Sequence, residues 1–380
     1  MPTPVLAGYP RWADPDDPLL ALPKVSLHDH LDGSLRPETM LELADAQGVR
    51  LPYQDADKLA GWFQGLIAEP AVENWDEKFG ITTRLLQTPP DLARAAHEFV
   101  LDLAADGVVY GETRWAPEKH TLADMSLDDA VDAVADGLAS GEQAAREAGR
   151  TIQVRQLLCA MRTSDRSTEI AALTAAHLGA SVVGFDLAGE ESGYPASEHI
   201  AALRLLDEAD VPYTLHVGEH AGLDSIRDTL ESGSPRRLGH GVRIVEDIRL
   251  DGRPLTITGA VAAVAAAGPD AVLTLGPTAA QVRDQGLPLE VCLSSNSKGN
   301  VVDSRRNHPL GLLHRLGFVV TVNPDNRMMS ATSITREMGH AVAEFGWDHE
   351  TLRTVTRSAA RAAFLPEPER SSLLTRLDAS

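Results

Sequence analysis

Short runs of β-branched and apolar residues alternate along this chain with longer stretches whose apolar positions recur every three to four residues. That alternation is the signature of strand–helix–strand units. Eight of the short runs are predicted as strands: Lys24–His28, Val108–Arg114, Thr151–Leu158, Val182–Leu187, Tyr213–Val217, Arg237–Gly239, Leu289–Leu293 and Val319–Asn323. Helical period marks Leu92–Ala105, Leu127–Ala148, Thr168–His177 and His199–Ala209 between them. The strand runs are apolar without alternation, as parallel strands covered on both faces are. Eight such units with no linker between them predict an α/β chain folded as a (β/α)8 TIM barrel, a single domain over residues 1–380. Asp55–Phe79, with Leu59, Trp62, Phe63 and Leu66 at helical spacing, predicts a lid-like helical insertion after the first strand. Asp251–Gly276 is rich in alanine and glycine and reads only as an insertion before the seventh strand.

Composition narrows the picture. The chain has 380 residues, 43% of them hydrophobic, enough for one large core. A formal net charge of −21 repels polyanions and argues against nucleic acid or an anionic membrane as partner. The longest apolar run, Ile257–Ala267, is too short to span a bilayer. Pro and charged residues interrupt Met1–Lys24, so no secretory segment is expected there. The two cysteines, Cys159 and Cys292, sit in apolar segments. They exclude a disulfide framework or a Cys-x-x-Cys site and fit buried thiols in a cytoplasmic protein.

The residues able to do chemistry cluster at the C-terminal ends of the predicted strands, where barrel enzymes build their sites. The first run ends in His28-Asp-His30, the fourth in Asp186-Leu-Ala-Gly-Glu-Glu191, the fifth in His216-Val-Gly-Glu219. The sixth closes with Gly239-His240-Gly241 and the eighth with Asn323-Pro-Asp-Asn326. Taken singly, His240 between glycines also reads as a turn residue, and Asp325 after Pro324 as a turn initiator. On a strand, positions i and i+2 share a face, so the rings of His28 and His30 converge. Neutral imidazoles at about 2.0–2.1 Å suit a zinc-like ion. Three imidazoles and one carboxylate, from His28, His30, His216 and Asp325, make a mononuclear metal site. A binuclear barrel needs a bridging group, often a modified lysine at the fourth strand end, and Phe185–Glu191 holds no lysine.

Zinc draws the pKa of a bound water toward neutrality. Glu219 is placed to shuttle protons beside such a metal, and His240 to aim the water. A site of this kind hydrolyses, or replaces an amine at an electrophilic ring carbon. The His-x-Glu…Pro-Cys-x-x-Cys pattern of the other zinc deaminases is absent.

These motifs in combination resemble the adenosine deaminase family of metal-dependent amidohydrolase barrels, from about Leu22 to about Leu365. They are Leu27-His-Asp-His-Leu-Asp-Gly-Ser34, Asp186-Leu-Ala-Gly189, His216-Val-Gly-Glu219, Leu238-Gly-His-Gly241 and Val322-Asn-Pro-Asp325. The resemblance implies hydrolytic removal of the purine 6-amino group from adenosine or 2′-deoxyadenosine, with one zinc ion held by His28, His30, His216 and Asp325. It implies that Glu219 protonates purine N1 while His240 orients the attacking hydroxide. It also implies that Asp32 accepts from the ribose 5′-hydroxyl, that the Gly189 backbone meets N3, and that His30 faces the substrate.

The chain departs from the usual family pattern at several positions. Val217 stands where alanine is usual, Pro324-Asp-Asn-Arg327 where Thr-Asp-Asp-Pro is common, and Leu293-Ser-Ser-Asn296 where Pro-Thr-Ser-Asn is familiar. An amide at Asn326 can donate to purine N7 directly, whereas a carboxylate must first be protonated. Relatives acting on free adenine usually carry Leu-Glu-Gly-Thr in place of Leu31-Asp-Gly-Ser34, which favours a nucleoside here. A modified nucleoside such as 6-amino-6-deoxyfutalosine, and a purine-binding barrel without activity, are the alternative readings.

Overall fold

The protein is described by a computed structural model covering residues 16–66, 75–179, 181–268 and 270–379. Helices alternate with parallel strands, giving an α/β fold. Among the described residues no helix is long and apolar enough to cross a membrane. The chain divides into two compact units, one ending at Gln156 and including Pro324–Arg336, the other comprising Leu157–Asn323 and Glu337 onward.

The first unit contains β1 (Lys24–His30), β2 (Val108–Trp115) and the start of β3 (Gln153–Met161). β1 runs parallel to β2, with His30 opposite Arg114. Every residue of Lys24–Asp29 is buried, the polar Lys24, Ser26, His28 and Asp29 included. Lys24 survives burial by donating its Nζ to the carbonyls of Leu20 and Leu22 at 3.2 and 2.8 Å. Desolvation nevertheless lowers its pKa to about 8. The helices Pro89–Ala105 and Leu127–Glu147 pack closely. A side chain at Gly137 would lie 2.2 Å from the Ala93 carbonyl, so only glycine allows that approach. Ser126 caps the second of these helices, accepting from the Asp129 N–H at 3.0 Å.

In the predicted lid segment, Asp55 caps the helix Ala56–Phe63 by accepting from the Lys58 N–H at 2.9 Å. Leu59, Trp62 and Phe63 are buried as ordinary packing, whereas Leu66 is 77% exposed. A second helix, Trp75–Leu85, follows; residues 67–74 of the segment lie outside the described residues.

The second unit holds the rest of β3, then β4 (Val182–Ala188), β5 (Thr214–Val217) and β6 (Arg237–His240). Three short strands come next: β7 (Ile248–Leu250), β8 (Arg253–Pro254) and β9 (Leu273–Leu275). They form an antiparallel sheet in the order β8-β7-β9, which resolves the unassigned insertion. Its apolar run forms the helix Ala260–Ala267, of which only Ala260 is buried. β10 (Leu289–Val291) and β11 (Val320–Val322) complete a parallel sheet ordered β11-β10-β6-β5. A parallel bridge joins Phe185 of β4 to Tyr213. All eight predicted strands are present, with ends shifted by a few residues. The seventh stops at Val291 because Leu293 already begins the helix Leu293–Lys298. Cys159 and Cys292 are buried and form no disulfide.

Candidate active site

In the first unit, three metal-ligand-type side chains meet at the end of β1. Asp325 Oδ1 lies 3.3 Å from His28 Nε2 and 3.2 Å from His30 Nε2. A tetrahedral centre with bonds of about 2.0–2.2 Å separates neighbouring donor atoms by roughly 3.3–3.6 Å, so this grouping fits a zinc-class ion. The Asp325 backbone is tied to β1 in both directions: its N–H donates to the His28 carbonyl, and its carbonyl accepts from the His30 N–H. Its φ of 63° is left-handed, a strained setting that aspartate tolerates better than most residues. Burial favours the neutral Asp325 carboxyl, but hydrogen bonds and charge from His28 and His30 prevail and hold its pKa well below the usual range.

Asp29, between the two histidines, points to the opposite side. It pairs with Arg327 at 2.7 Å and accepts from Ser34 Oγ at 2.7 Å. The Arg327 guanidinium also stacks on Phe99, its Cζ 4.5 Å from the ring centroid. This buried pair fastens the segment that follows Asp325 to the strand bearing the two histidines. Burial raises the Asp29 pKa to about 6, against the opposing pull of Arg327.

Asp32 is 6% exposed, and its Oδ1 makes no hydrogen bond among the described residues. A buried carboxylate oxygen of that kind calls for a ligand. Asn326 lies against Gly33, where a Cβ would sit 1.8 Å from Asn326 Oδ1. Any larger residue there would displace the Asn326 amide.

The second unit carries the other predicted residues on β4, β5 and β6. Asp186 Oδ2 lies 2.9 Å from His216 Nδ1. Buried Arg162 donates to the His216 carbonyl at 2.6 Å. Glu219 Oε1 accepts from Asn296 Nδ2 at 3.0 Å, and its Oε2 lies 3.6 Å from His240 Nε2. His240, with φ 60°, is buried beside His216, their ring centroids 5.4 Å apart. Gly189, φ 92°, follows β4 in a conformation that leaves side-chain-bearing residues strained.

The sequence profile of the adenosine deaminase family matches residues 23–380. The chain belongs to that family. An adenosine deaminase of Mycobacteroides abscessus is 44% identical over 353 residues, covering 93% of each chain. "Adenosine deaminase 1" of Streptomyces coelicolor is 43% identical over 359 residues, 94% of this chain and 86% of that one. An adenine deaminase structure from Arthrobacter aurescens superposes with a TM-score of 0.75 at 23% identity, covering 94% of this chain and 99% of that one. At that identity the likeness shows the fold alone.

The protein is thus a hydrolytic deaminase of this family, with predicted residues grouped within each unit as described. Sequence reasoning assigned no role to several residues that support them. Glu191 accepts from the backbone N–H of Gly218, Glu219, His220 and Ala221 and from Ser225 Oγ, fixing the turn that carries Glu219. Asp186 and Glu191 lie inside the Asp186-Leu-Ala-Gly-Glu-Glu191 motif, where carboxylates beside ligand-type residues are the available signal. Asp29 and Arg327 flank the predicted ligands. Asn296 closes the Leu293-Ser-Ser-Asn296 motif, whereas His308 carried no comparable signal.

Proposed function

We propose that this deaminase converts adenosine and 2′-deoxyadenosine to inosine and 2′-deoxyinosine, releasing ammonia, with one zinc ion per chain. The ion is assigned to His28, His30, His216 and Asp325. The observation that carries this reading is the convergence of His28 and His30 on one oxygen of Asp325. Bound there, zinc would act as a Lewis acid that makes a water nucleophilic at neutral pH. Glu219, held by Asn296, gives a proton to purine N1, and His240 directs the nucleophile. The Asp32 carboxylate accepts from the ribose 5′-hydroxyl, the Gly189 N–H faces N3, the Asn326 amide donates to N7, and His30 borders the substrate. The shortness of Asp32, and the hydrogen bond that its buried oxygen lacks, favour a nucleoside over free adenine.

The reading extends to one (β/α)8 barrel domain over residues 1–380, acting in the cytoplasm on a small purine nucleoside and not on nucleic acid or membrane. The parallel bridges Phe185–Tyr213 and Asp29–Asp325 support barrel closure. The Phe79 ring meets His30 edge-on at 6.1 Å, which supports a lid role for the helical insertion after β1. The test combines metal analysis with ultraviolet turnover of adenosine, 2′-deoxyadenosine, adenine and a 6-amino-6-deoxyfutalosine-type nucleoside. About one zinc per chain and preference for the first two substrates are expected. Adenine or the modified nucleoside turning over faster, or an active enzyme without metal, refutes the reading.

A further inference from the structure

A buried hydrogen-bonded chain runs behind Glu219 and begins at a backbone N–H. The Leu310 backbone N–H can only donate, and it lies 3.1 Å from His308 Nδ1. That nitrogen is therefore the acceptor of its ring. His308 is fully buried, and desolvation lowers its pKa to about 3, so the ring is neutral and carries its proton on Nε2. Nε2 lies 3.1 Å from Asn296 Oδ1, which accepts that proton's hydrogen bond. The orientation of the Asn296 amide follows. Its NH2 group faces Glu219 Oε1 at 3.0 Å and His240 Nδ1 at 3.2 Å, one hydrogen for each. The opposite amide orientation would set oxygen against a carboxylate oxygen at one end and N–H against N–H at the other.

We infer that His308, acting through Asn296, is a positioning residue that makes His240 Nδ1 the acceptor of its ring and so places the ring's proton on Nε2. His240 Nδ1 is occupied as an acceptor, and its Nε2–H is turned to the side of Glu219 Oε2. In this state His240 donates a hydrogen bond to an incoming oxygen and does not take a proton from it. The same amide holds Glu219 Oε1, so one side chain sets both the proton-donating carboxyl and the orienting imidazole. The inference deepens the proposed function and rests on the roles assigned there to Glu219 and His240.

The test reads the tautomer directly, by two-bond proton–nitrogen correlation NMR on zinc-loaded protein labelled with nitrogen-15 histidine. Wild type is expected to show His240 protonated at Nε2 only. In His308→Leu the His240 signals should shift toward a mixture of tautomers. His308→Gln, whose side-chain amide can still donate to Asn296, should restore the wild-type pattern. In parallel, kcat should fall about 10- to 100-fold in His308→Leu, the worth of one well-placed hydrogen bond. KM should stay within about threefold, and His308→Gln should recover most of the loss. Should His308→Leu fail to fold, Asn296→Ala poses the same question at the next link. A His240 proton on Nδ1 in wild type, or a tautomer unmoved by both variants, overturns the inference. The NMR result does not depend on which purine is turned over. Failure to deaminate adenosine would therefore count against the proposed substrate and leave the tautomer assignment to be judged separately.

Discussion

Replacing Glu191 with glutamine probes how the catalytic turn is held. Glu191 is 5% exposed, and its hydrogen bonds come from four backbone N–H groups and one hydroxyl. Its Oε1 accepts from the Gly218 N–H at 2.6 Å and Ser225 Oγ at 2.7 Å. Its Oε2 accepts from Glu219, His220 and Ala221 at 3.1, 2.9 and 2.9 Å. Glutamine offers one oxygen. Its best orientation keeps that oxygen on the three-amide side and turns NH2 toward Gly218 N–H and Ser225. The serine hydroxyl can rotate to accept, but the Gly218 N–H loses its partner, which costs about 1–3 kcal/mol. The remaining bonds lose their charge assistance, bringing the total to roughly 2–4 kcal/mol. At about 1.4 kcal/mol per factor of ten, amides 218–221 should exchange with deuterium roughly 30- to 1000-fold faster, with distant helices unaffected. Turnover should fall with it, because the Glu219 N–H is one of the groups held. Exchange in this segment within about threefold of wild type would refute the reasoning.

Three further outcomes are expected. Glu219→Gln should lower kcat by at least ~100-fold while zinc content stays at the wild-type level, and turnover near wild type would show that another group protonates N1. Asp32→Ala acting on adenosine and wild type acting on 5′-deoxyadenosine should each lose roughly 10–100-fold in kcat/KM. Combining the two should cost little more, whereas additive losses would place Asp32 in another role. His308 has a pKa of about 3 in the fold and an ordinary value near 6.5 when unfolded, so between these values only the unfolded chain takes up the proton. Its contribution to stability is present above pH 6.5 and is lost as pH falls, by about 2 kcal/mol at pH 5. Denaturation at pH 7 and pH 5 should therefore show His308→Leu closing on wild type by about that amount, and an unchanged gap would contradict it.

Much of the fold and half of the chemistry can be read from local pattern. A strand repeats every two residues, so His28 and His30 were bound to share a side and Asp29 to face the other. Strands buried on both faces are mainly apolar, which made all eight visible. Their polar C-terminal ends then stood out as His28, Asp186, His216, His240 and Asp325. The three-stranded antiparallel insertion escaped because β7, β8 and β9 are two or three residues long, too short for any period to register.

The supporting contacts escaped for a different reason. Glu191 meets the turn it holds across 27 to 34 residues of sequence, and Asn296 reaches Glu219 across 77 and His240 across 56. Arg327 and the β1 residue it braces stand almost three hundred positions apart. No local spacing encodes such pairs, and each residue alone reads as a surface carboxylate, an ordinary amide or a solvated arginine. Sequence determined which side chains could bind metal and move protons, because that follows from residue type and strand alternation. Only the tertiary structure decided which oxygen each histidine faces, which way the Asn296 amide lies and where His308 puts its proton. Those choices belong to buried polar groups, which must find partners wherever the packed chain places them.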